Sequence, residues 1–354
     1  MRNIRKIALR ILLILCILIL YEKAVRFAYE PYRASNIYRG RELKENQGSI
    51  DTLFCGTSTT NRGFSPEIWD TGMNANSFNI ATAGQRLSDT YTLLVQETKR
   101  NPVERVFLGV SPRMMIAEEI YVLGSARSYD LLDGVGMKLK YLFQNHTLEE
   151  MLYLAYYPVR VDSYGELSEV KKNIAYKNSS EFKDNINPDN KYAGKGFLIS
   201  NKEYGGKIYE HIEQIKTSWS ANMVNAREEE SLYRIIEYCK EREIEIILVY
   251  PPVTGKQIKS YGDVTEIHEY YNNIAEKYNI QFWDFLYYQN LIEEYGNDKF
   301  KDVRHMNRKG GEQFTQKLTD IYQEYQDGKD IRQYFLETCP YYQSNTAGIR
   351  KIDK

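Results

Sequence analysis

A three-layer α/β/α fold, with a central, mostly parallel five-stranded sheet of the flavodoxin-like kind, is what the sequence predicts. Three observations predict it. Short runs rich in β-branched and aromatic residues, each closed by glycine, proline or serine, alternate with amphipathic stretches over most of 50–325. Small polar residues gather just beyond the ends of those runs, where sheets of this kind carry their chemistry. The hydrophobic fraction, 42% of 354 residues, is enough for one large buried core.

The N-terminal stretch comes first. Arg2, Arg5, Lys6 and Arg10 precede the apolar run from Ile11 to Leu20. A basic cluster leading into such a run predicts one N-terminal transmembrane helix, a signal anchor over 1–23. Leu20-Tyr21-Glu22-Lys23 offers no small residues for cleavage, and Leu15 before Cys16 does not suit a lipoprotein signal. The expected placement is therefore a single-pass protein of the cell membrane, its C-terminal domain extracytoplasmic. Residues 24–49 are polar and mixed, and read as a stalk with some helix.

The domain proper is expected over 50–326. Ile50–Cys55 is a short strand that runs into Gly56-Thr57-Ser58-Thr59-Thr60. Ser65 and Pro66 open a helix as N-cap and first helical residue. Ser77–Ala81 is a second strand with a turn at Gly84, Leu87–Arg100 is amphipathic, and Arg105–Val110 is a third strand. The rhythm then lapses, so residues from about 113 to 225 read as a long, mostly helical insertion over one end of the sheet. It resumes with a helix over Glu228–Arg242, a strand over Ile244–Tyr250 stopped by Pro251-Pro252, and a helix over Val264–Tyr278. Gln281–Phe285 is a fifth strand, Asn307–Tyr325 a final helix, and 327–354 a tail without a motif.

Composition narrows the function. With 47 basic and 48 acidic residues the net charge is −1, which gives no footing for nucleic acid. The 31 tyrosines suit stacking on sugars, though compositional bias accounts for them equally. Cys16, Cys55, Cys239 and Cys339 lack metal-ligand spacing and do not form a disulfide framework. No phosphate loop, metal cluster or internal repeat is visible, so neither a cofactor nor a metal is expected.

Acyl transfer by serine needs an imidazole to take the hydroxyl proton and a carboxylate to orient that imidazole. There are four histidines. His146 and His211 fall in the insertion, and His268 sits on a charged helix face where solvation is the simpler reading. His305 follows Asp302 by three residues in a loop before the last helix, with Asn307 as a cap. Alone, Asp-x-x-His more often marks an exposed histidine beside a capping aspartate. Arg62, four residues after Ser58, suits an anionic substrate or a surface ion pair. Asp284 ends the fifth strand and reads as a loop cap.

Gly56-Thr57-Ser58 after the first strand, Asn79-x-x-x-x-Gly84 after the second and Asp302-x-x-His305 before the last helix stand in the order of the SGNH/GDSL hydrolase blocks. The chain resembles that superfamily over about 50–111 and 226–325. Leu53–Ser58, Phe78–Gln85 and His305–Gly310 resemble its membrane-anchored envelope branch, with teichoic-acid D-alanylation and alginate O-acetylation proteins. The resemblance implies Ser58 as nucleophile, His305 as base and Asp302 as its orienter, with the N–H groups of Ser58 and Gly84 in an oxyanion hole. It also implies a third-block Asn, which this chain lacks. Ser111 or Arg113 would have to stand in for it.

The expected function is thus an extracytoplasmic, membrane-anchored serine esterase or O-acyltransferase acting on an acylated glycan or envelope polymer. By analogy, its partner is a multi-span membrane acyltransferase. The alternative is a catalytically weak scaffold of the same fold.

Overall fold

The computed structural model describes residues 2–31, 35–116, 122–162, 164–186, 191–206 and 219–342. Its centre is a sheet of β1 (Thr52–Cys55), β2 (Ser77–Asn79), β3 (Arg105–Gly109), β4 (Glu245–Tyr250) and β5 (Gln281–Asp284). The strands lie in the order β2-β1-β3-β4-β5, and every pair is parallel. All five were expected, because a sheet covered on both faces needs nearly continuous apolar strands rather than alternating ones. β1, β3 and β4 are buried over almost their whole length.

The longer helices are α1 (Arg2–Tyr29), α2 (Ser35–Glu45), α3 (Pro66–Met73), α4 (Leu87–Thr98), α5 (Val122–Leu131), α6 (Val135–Asn145), α7 (Leu148–Ala155), α8 (Leu167–Lys177), α9 (Ala226–Lys240), α10 (Thr265–Tyr278) and α11 (Arg308–Gln326). Helices α3 and α11 pack together on one face of the sheet, and α4 and α9 pack together on the other. Strand alternation divides the core between them. Phe54 and Phe107 meet Trp69 of α3 and, for Phe107, Tyr322 of α11, with Trp69 fully buried. Cys55, one residue on, turns toward Cys239 of α9. All four cysteines are free, and only Cys16 is exposed. Ser65 sits at the N-cap of α3, but its side chain makes no capping bond. Its N–H instead donates to Thr315 Oγ1 of α11 at 2.8 Å.

The expected transmembrane span is not present. Helix α1 does run through the apolar segment, but among the described residues no helix is long and apolar enough to cross a membrane. Charge explains the difference. Arg10 and Glu22 bracket Ile11–Tyr21, which at 1.5 Å per residue is about 17 Å, against a hydrocarbon core of roughly 30 Å. Single-pass placement and the extracytoplasmic domain that depended on it fall with that correction.

The far end of α1 is bound to protein. Arg26 contacts Glu22 at 2.8 Å and Asp130 of α5 at 3.3 Å. The Lys177 ammonium of α8 donates to the carbonyls of Phe27 and Glu30 at 3.1 and 2.7 Å, satisfying the orphan acceptors of the last turn. The segment read as a stalk is docked as well, since Tyr38, Arg39 and Leu43 of α2 are buried. Part of the insertion lies along the open edge of the sheet. The Asn79 N–H of β2 donates to Lys195 O at 2.9 Å, which covers an edge strand that would otherwise be free to pair. In the tail, Ile331, Cys339 and Tyr341 are buried, and the rest from 343 lies outside the described residues.

Replacing Trp69 by Ala should remove the side chain that joins Phe54, Phe107 and Tyr322. Unfolding free energy from urea denaturation is expected to fall by about 3–5 kcal/mol.

Candidate active site

In a sheet of this order the strand sequence reverses between β1 and β3, and the crevice beyond their carboxyl ends is the natural site. Ser58 follows β1 and Ser111 follows β3. Both line one cleft of about 970 Å³, together with Gly84, Arg62, Arg113 and His305.

Close backbone approach fixes the turn that carries Ser58. Gly56 has φ +142°, and a Cβ there would lie 2.2 Å from Thr60 Oγ1 and 2.8 Å from Gly109 O. A Cβ on Gly109 would lie 2.1 Å from the same hydroxyl. The Thr60 side chain thus sits where two side chains are missing, at the ends of the central strands. Asn79, fully buried, donates to the carbonyls of Thr60 and Phe64, both at 3.0 Å, and accepts from Ala81 N at 3.1 Å. That one amide ties the second sequence block to the Ser58 turn.

The loop before α11 brings the other two groups. His305 Nε2 lies 2.8 Å from Ser58 Oγ. His305 Nδ1 lies 2.9 Å from Asp302 Oδ1 and 3.0 Å from Oδ2. Asp302 Oδ1 also accepts from the N–H groups of Arg304 and His305, each at 3.0 Å. The loop is held at its crest by Thr254 Oγ1, which donates to Val303 O at 2.7 Å. At its exit Asn307 caps α11 by accepting from Gly310 N at 3.0 Å. A Cβ on Gly311 would meet Arg62 O at 2.5 Å, so that glycine lets α11 approach the Ser58 turn.

Burial pushes the Asp302 carboxyl up, but the hydrogen bonds from the His305 ring and the two backbone N–H groups, with the His305 charge, outweigh it. They hold the carboxyl well below the ordinary carboxylate range. Asp302 is therefore an anion that fixes the ring through Nδ1 and leaves Nε2 facing the hydroxyl. Chemically, the arrangement can move the Ser58 proton onto the ring as the oxygen attacks an electrophile.

Donors for a developing oxyanion are also in reach of the cleft. Neither the Ser58 N–H nor the Gly84 N–H has an acceptor among the described residues. Gly84 has φ +73° in the turn after β2. Helix α5 braces that turn: a Cβ on Gly124 would lie 2.0 Å from Gly84 O, and Arg127 Nη1 donates to Ala83 O at 2.8 Å. Ser111 stands where the third-block Asn was expected. Its carbonyl accepts from Tyr271 OH at 2.9 Å, while its hydroxyl has no partner among the described residues and faces the cleft.

The sequence-derived residues Ser58, Gly84, Ser111, Arg113, Arg62, Asp302 and His305 thus meet within one cleft. Arg62 makes no ion pair among the described residues. Burial pushes its guanidinium down, opposed by Asp302, and its Nη1 is buried without a partner. Sequence reading missed Arg86, Arg127, Lys301 and Arg304, which also line the cleft and come from three separate segments, Lys301 and Arg304 sharing the loop before α11. It also missed that His268, read as solvated, binds Asp284 at 2.8 Å. His146 lies 3.8 Å from Glu150 in the insertion, and His211 falls outside the described residues. Among the described residues no group of three or more His, Cys, Asp or Glu side chains could hold a metal ion.

No protein-family model matches the chain, and no curated protein does. Among solved structures, it is similar to a protein assigned to the G-D-S-L lipolytic family from Desulfitobacterium hafniense DCB-2, at 11% identity and TM-score 0.36, over 77% of this chain and 99% of that one. It is also similar to an acetyl xylan esterase from the rumen bacterium Butyrivibrio proteoclasticus, at 12% identity and TM-score 0.27, over 79% of this chain and 65% of that one. Likeness of that degree assigns no activity.

A carboxyl whose pKa is lower in the folded protein than the unfolded value of about 3.9 adds stability above that pH. The contribution fades as pH falls from there toward the folded pKa. The stability advantage of the native protein over Asp302→Asn should therefore be full at pH 6 and shrink below about pH 4, read from urea midpoints across that range.

Proposed function

We propose that the protein is a serine esterase or O-acyltransferase working through an acyl-enzyme on Ser58, with an acylated glycan as its substrate class. The observation that carries this reading is the unbroken chain from Ser58 Oγ through the His305 ring to the Asp302 carboxylate, at 2.8 and 2.9 Å. Ser58 Oγ would attack the ester carbonyl carbon while its proton passes to His305 Nε2. As the tetrahedral intermediate collapses, the carbon–oxygen bond to the alcohol breaks and His305 returns the proton to that leaving oxygen. Water or a second hydroxyl then attacks the acyl-enzyme by the same route, restoring Ser58.

The negative charge on the intermediate would be met by the N–H groups of Ser58 and Gly84 and by the Ser111 hydroxyl. Three donors at a developing oxyanion are the arrangement this chemistry favours. Two features favour a glycan over a compact ester. The sequence blocks resemble polysaccharide-modifying proteins, and the cleft of about 970 Å³ is far larger than an acetyl group needs.

The first test is intact-mass analysis after incubation of the full chain with a fluorophosphonate. A single adduct is expected on the native protein and none on Ser58→Ala or His305→Ala. Absence of an adduct on folded native protein would leave a binding module rather than an enzyme. In the same assay, with hydrolysis of a short acyl ester as a second readout, Ser111→Ala should lower kcat about 10²–10³-fold with little change in KM. Gly124→Ala should force the Gly84 turn to shift, and is expected to slow acylation more than it weakens substrate binding.

A further inference from the structure

Ser111 reaches the cleft with a short side chain, so its hydroxyl can be no better placed than its backbone. A third-block Asn would carry its donor on a planar amide at the end of a longer side chain. The serine oxygen turns about a single bond next to the main chain, and an error in the Cα position passes straight to it. An error of about 1 Å at a reacting group can cost about 10²-fold in rate. What holds residue 111 therefore matters more here than at a site with a longer donor.

The main chain leaves the sheet just before Ser111. Val110 N donates to Val249 O at 2.9 Å, at the end of the β3–β4 pairing. Ser111 then runs extended, at φ −162° and ψ 155°, as Pro112 requires of the residue before it. A short helical turn over Pro112–Met115 follows, and its far end is tied by Asn225 N, which donates to Met115 O at 2.7 Å. At the near end, two hydrogen bonds reach the Ser111 carbonyl among the described residues. One comes from Met114 N at 3.1 Å, lies within the turn and moves with it. The other comes from Tyr271 OH of α10 at 2.9 Å. Tyr271 is itself firmly held. It is fully buried, and its ring packs against Phe282 of β5 and against Tyr270, with centroids 5.6 and 5.3 Å apart. One turn earlier on α10, His268 binds Asp284, the last residue of β5, at 2.8 Å, and Asp284 Oδ1 also accepts from Leu286 N at 2.9 Å. That pair, which acyl transfer does not use, fixes the helix against the strand end. Burial pushes the Tyr271 phenol up, so it stays protonated and able to donate.

We infer that Tyr271 is a positioning residue for acyl transfer: its hydroxyl grips the Ser111 carbonyl and so sets where the Ser111 hydroxyl meets the developing oxyanion. The inference rests on the reading of Ser58 as nucleophile and Ser111 as an oxyanion donor. Tyr271 is not among the residues that line the cleft, and it acts through Ser111 alone. Burial by itself asks only that the phenol find an acceptor. The acceptor here belongs to the residue just beyond the sheet whose side chain faces the cleft, so the bond couples a core helix to the site. Removing the hydroxyl while keeping the ring leaves the aromatic packing in place. The Ser111 donor is needed as charge develops on the intermediate, so its misplacement slows turnover and leaves ground-state binding largely as it was.

The experiment is a double-mutant cycle on the full chain, with kcat and KM for a short acyl ester as readouts. Tyr271→Phe should lower kcat about tenfold, with KM within about twofold of the native value. On a Ser111→Ala background, where no hydroxyl remains to be placed, the same substitution should change kcat by less than about twofold. Tyr271→4-aminophenylalanine returns a donor to the same ring and should recover most of the lost rate. Thermal melting establishes that each variant is folded. Should Tyr271→Phe melt below the assay temperature, Tyr271→4-fluorophenylalanine takes its place, filling the volume of the hydroxyl without a proton to give. Equal losses of kcat on the two backgrounds would overturn the inference, because the hydroxyl would then support the fold and not Ser111. So would native kcat in folded Tyr271→Phe, a loss confined to KM, or no recovery with the amino group. Fluorophosphonate labelling separates this from the reading beneath it: an adduct on the native protein with equal losses sinks the positioning role alone, and no adduct on folded native protein sinks both.

Discussion

The close approach of two glycines to one threonine is the constraint on which the site depends. Gly56 and Gly109 end adjacent parallel strands, and Thr60 Oγ1 occupies the space their side chains would have filled. A methyl group at either position would have to displace Thr60, and Thr60 begins the helical turn immediately after Ser58. Asn79 then reads the result from the neighbouring strand, donating to the Thr60 and Phe64 carbonyls, and Gly311 lets α11 close on the carbonyl of Arg62. The contacts that involve backbone, a Gly56 Cβ against Gly109 O and a Gly311 Cβ against Arg62 O, have no rotamer to relax into, and the Thr60 side chain fills the remaining space in a close-packed core. The 2.8 Å hydrogen bond between Ser58 and His305 spans nearly the whole domain in sequence, yet it joins two loops seated on rigid elements.

The insertion is integrated into this site. Helix α5 touches the Gly84 turn through Gly124 and Arg127 at one end, and at the other presents Asp130 to Arg26 of α1 and Arg160. The same ten-residue helix therefore braces a candidate oxyanion donor and holds the N-terminal helix. Removing the insertion would expose the cleft and leave the Gly84 turn without its outer support.

The strands were legible because burial on both faces leaves little choice of residue: a continuous apolar run closed by a turn residue has few other uses. Ser58, Asp302 and His305 were legible because chemistry at strand ends needs particular residue types in a fixed chain order. Three things were not. The apolar content of Ile11–Leu20 outweighed the charges flanking it, although those charges shorten the span to half of what a bilayer requires. His268 looked solvated on its helix face, since nothing local announces that Asp284 at the end of β5 lies 2.8 Å away. The cationic wall was invisible apart from Arg62 and Arg113, because Arg86, Arg127, Lys301 and Arg304 are scattered in sequence and become a group only when the fold brings their segments together.

The cationic wall also bears on the missing third-block Asn. A neutral amide donor at an oxyanion is worth on the order of 3–4 kcal/mol in a serine hydrolase. A guanidinium near the same oxygen acts over a longer range: at an effective dielectric constant of 20, a unit charge about 8 Å away contributes roughly 2 kcal/mol. Two or three such charges around the cleft can offset one amide, and they need less exact placement. On that argument Ser111, as a small hydroxyl donor, suits a cleft whose field already favours negative charge. On that reading the absence of the third-block Asn and the surplus of arginine are one feature of the cleft: a diffuse cationic field does there what a single placed amide would otherwise do.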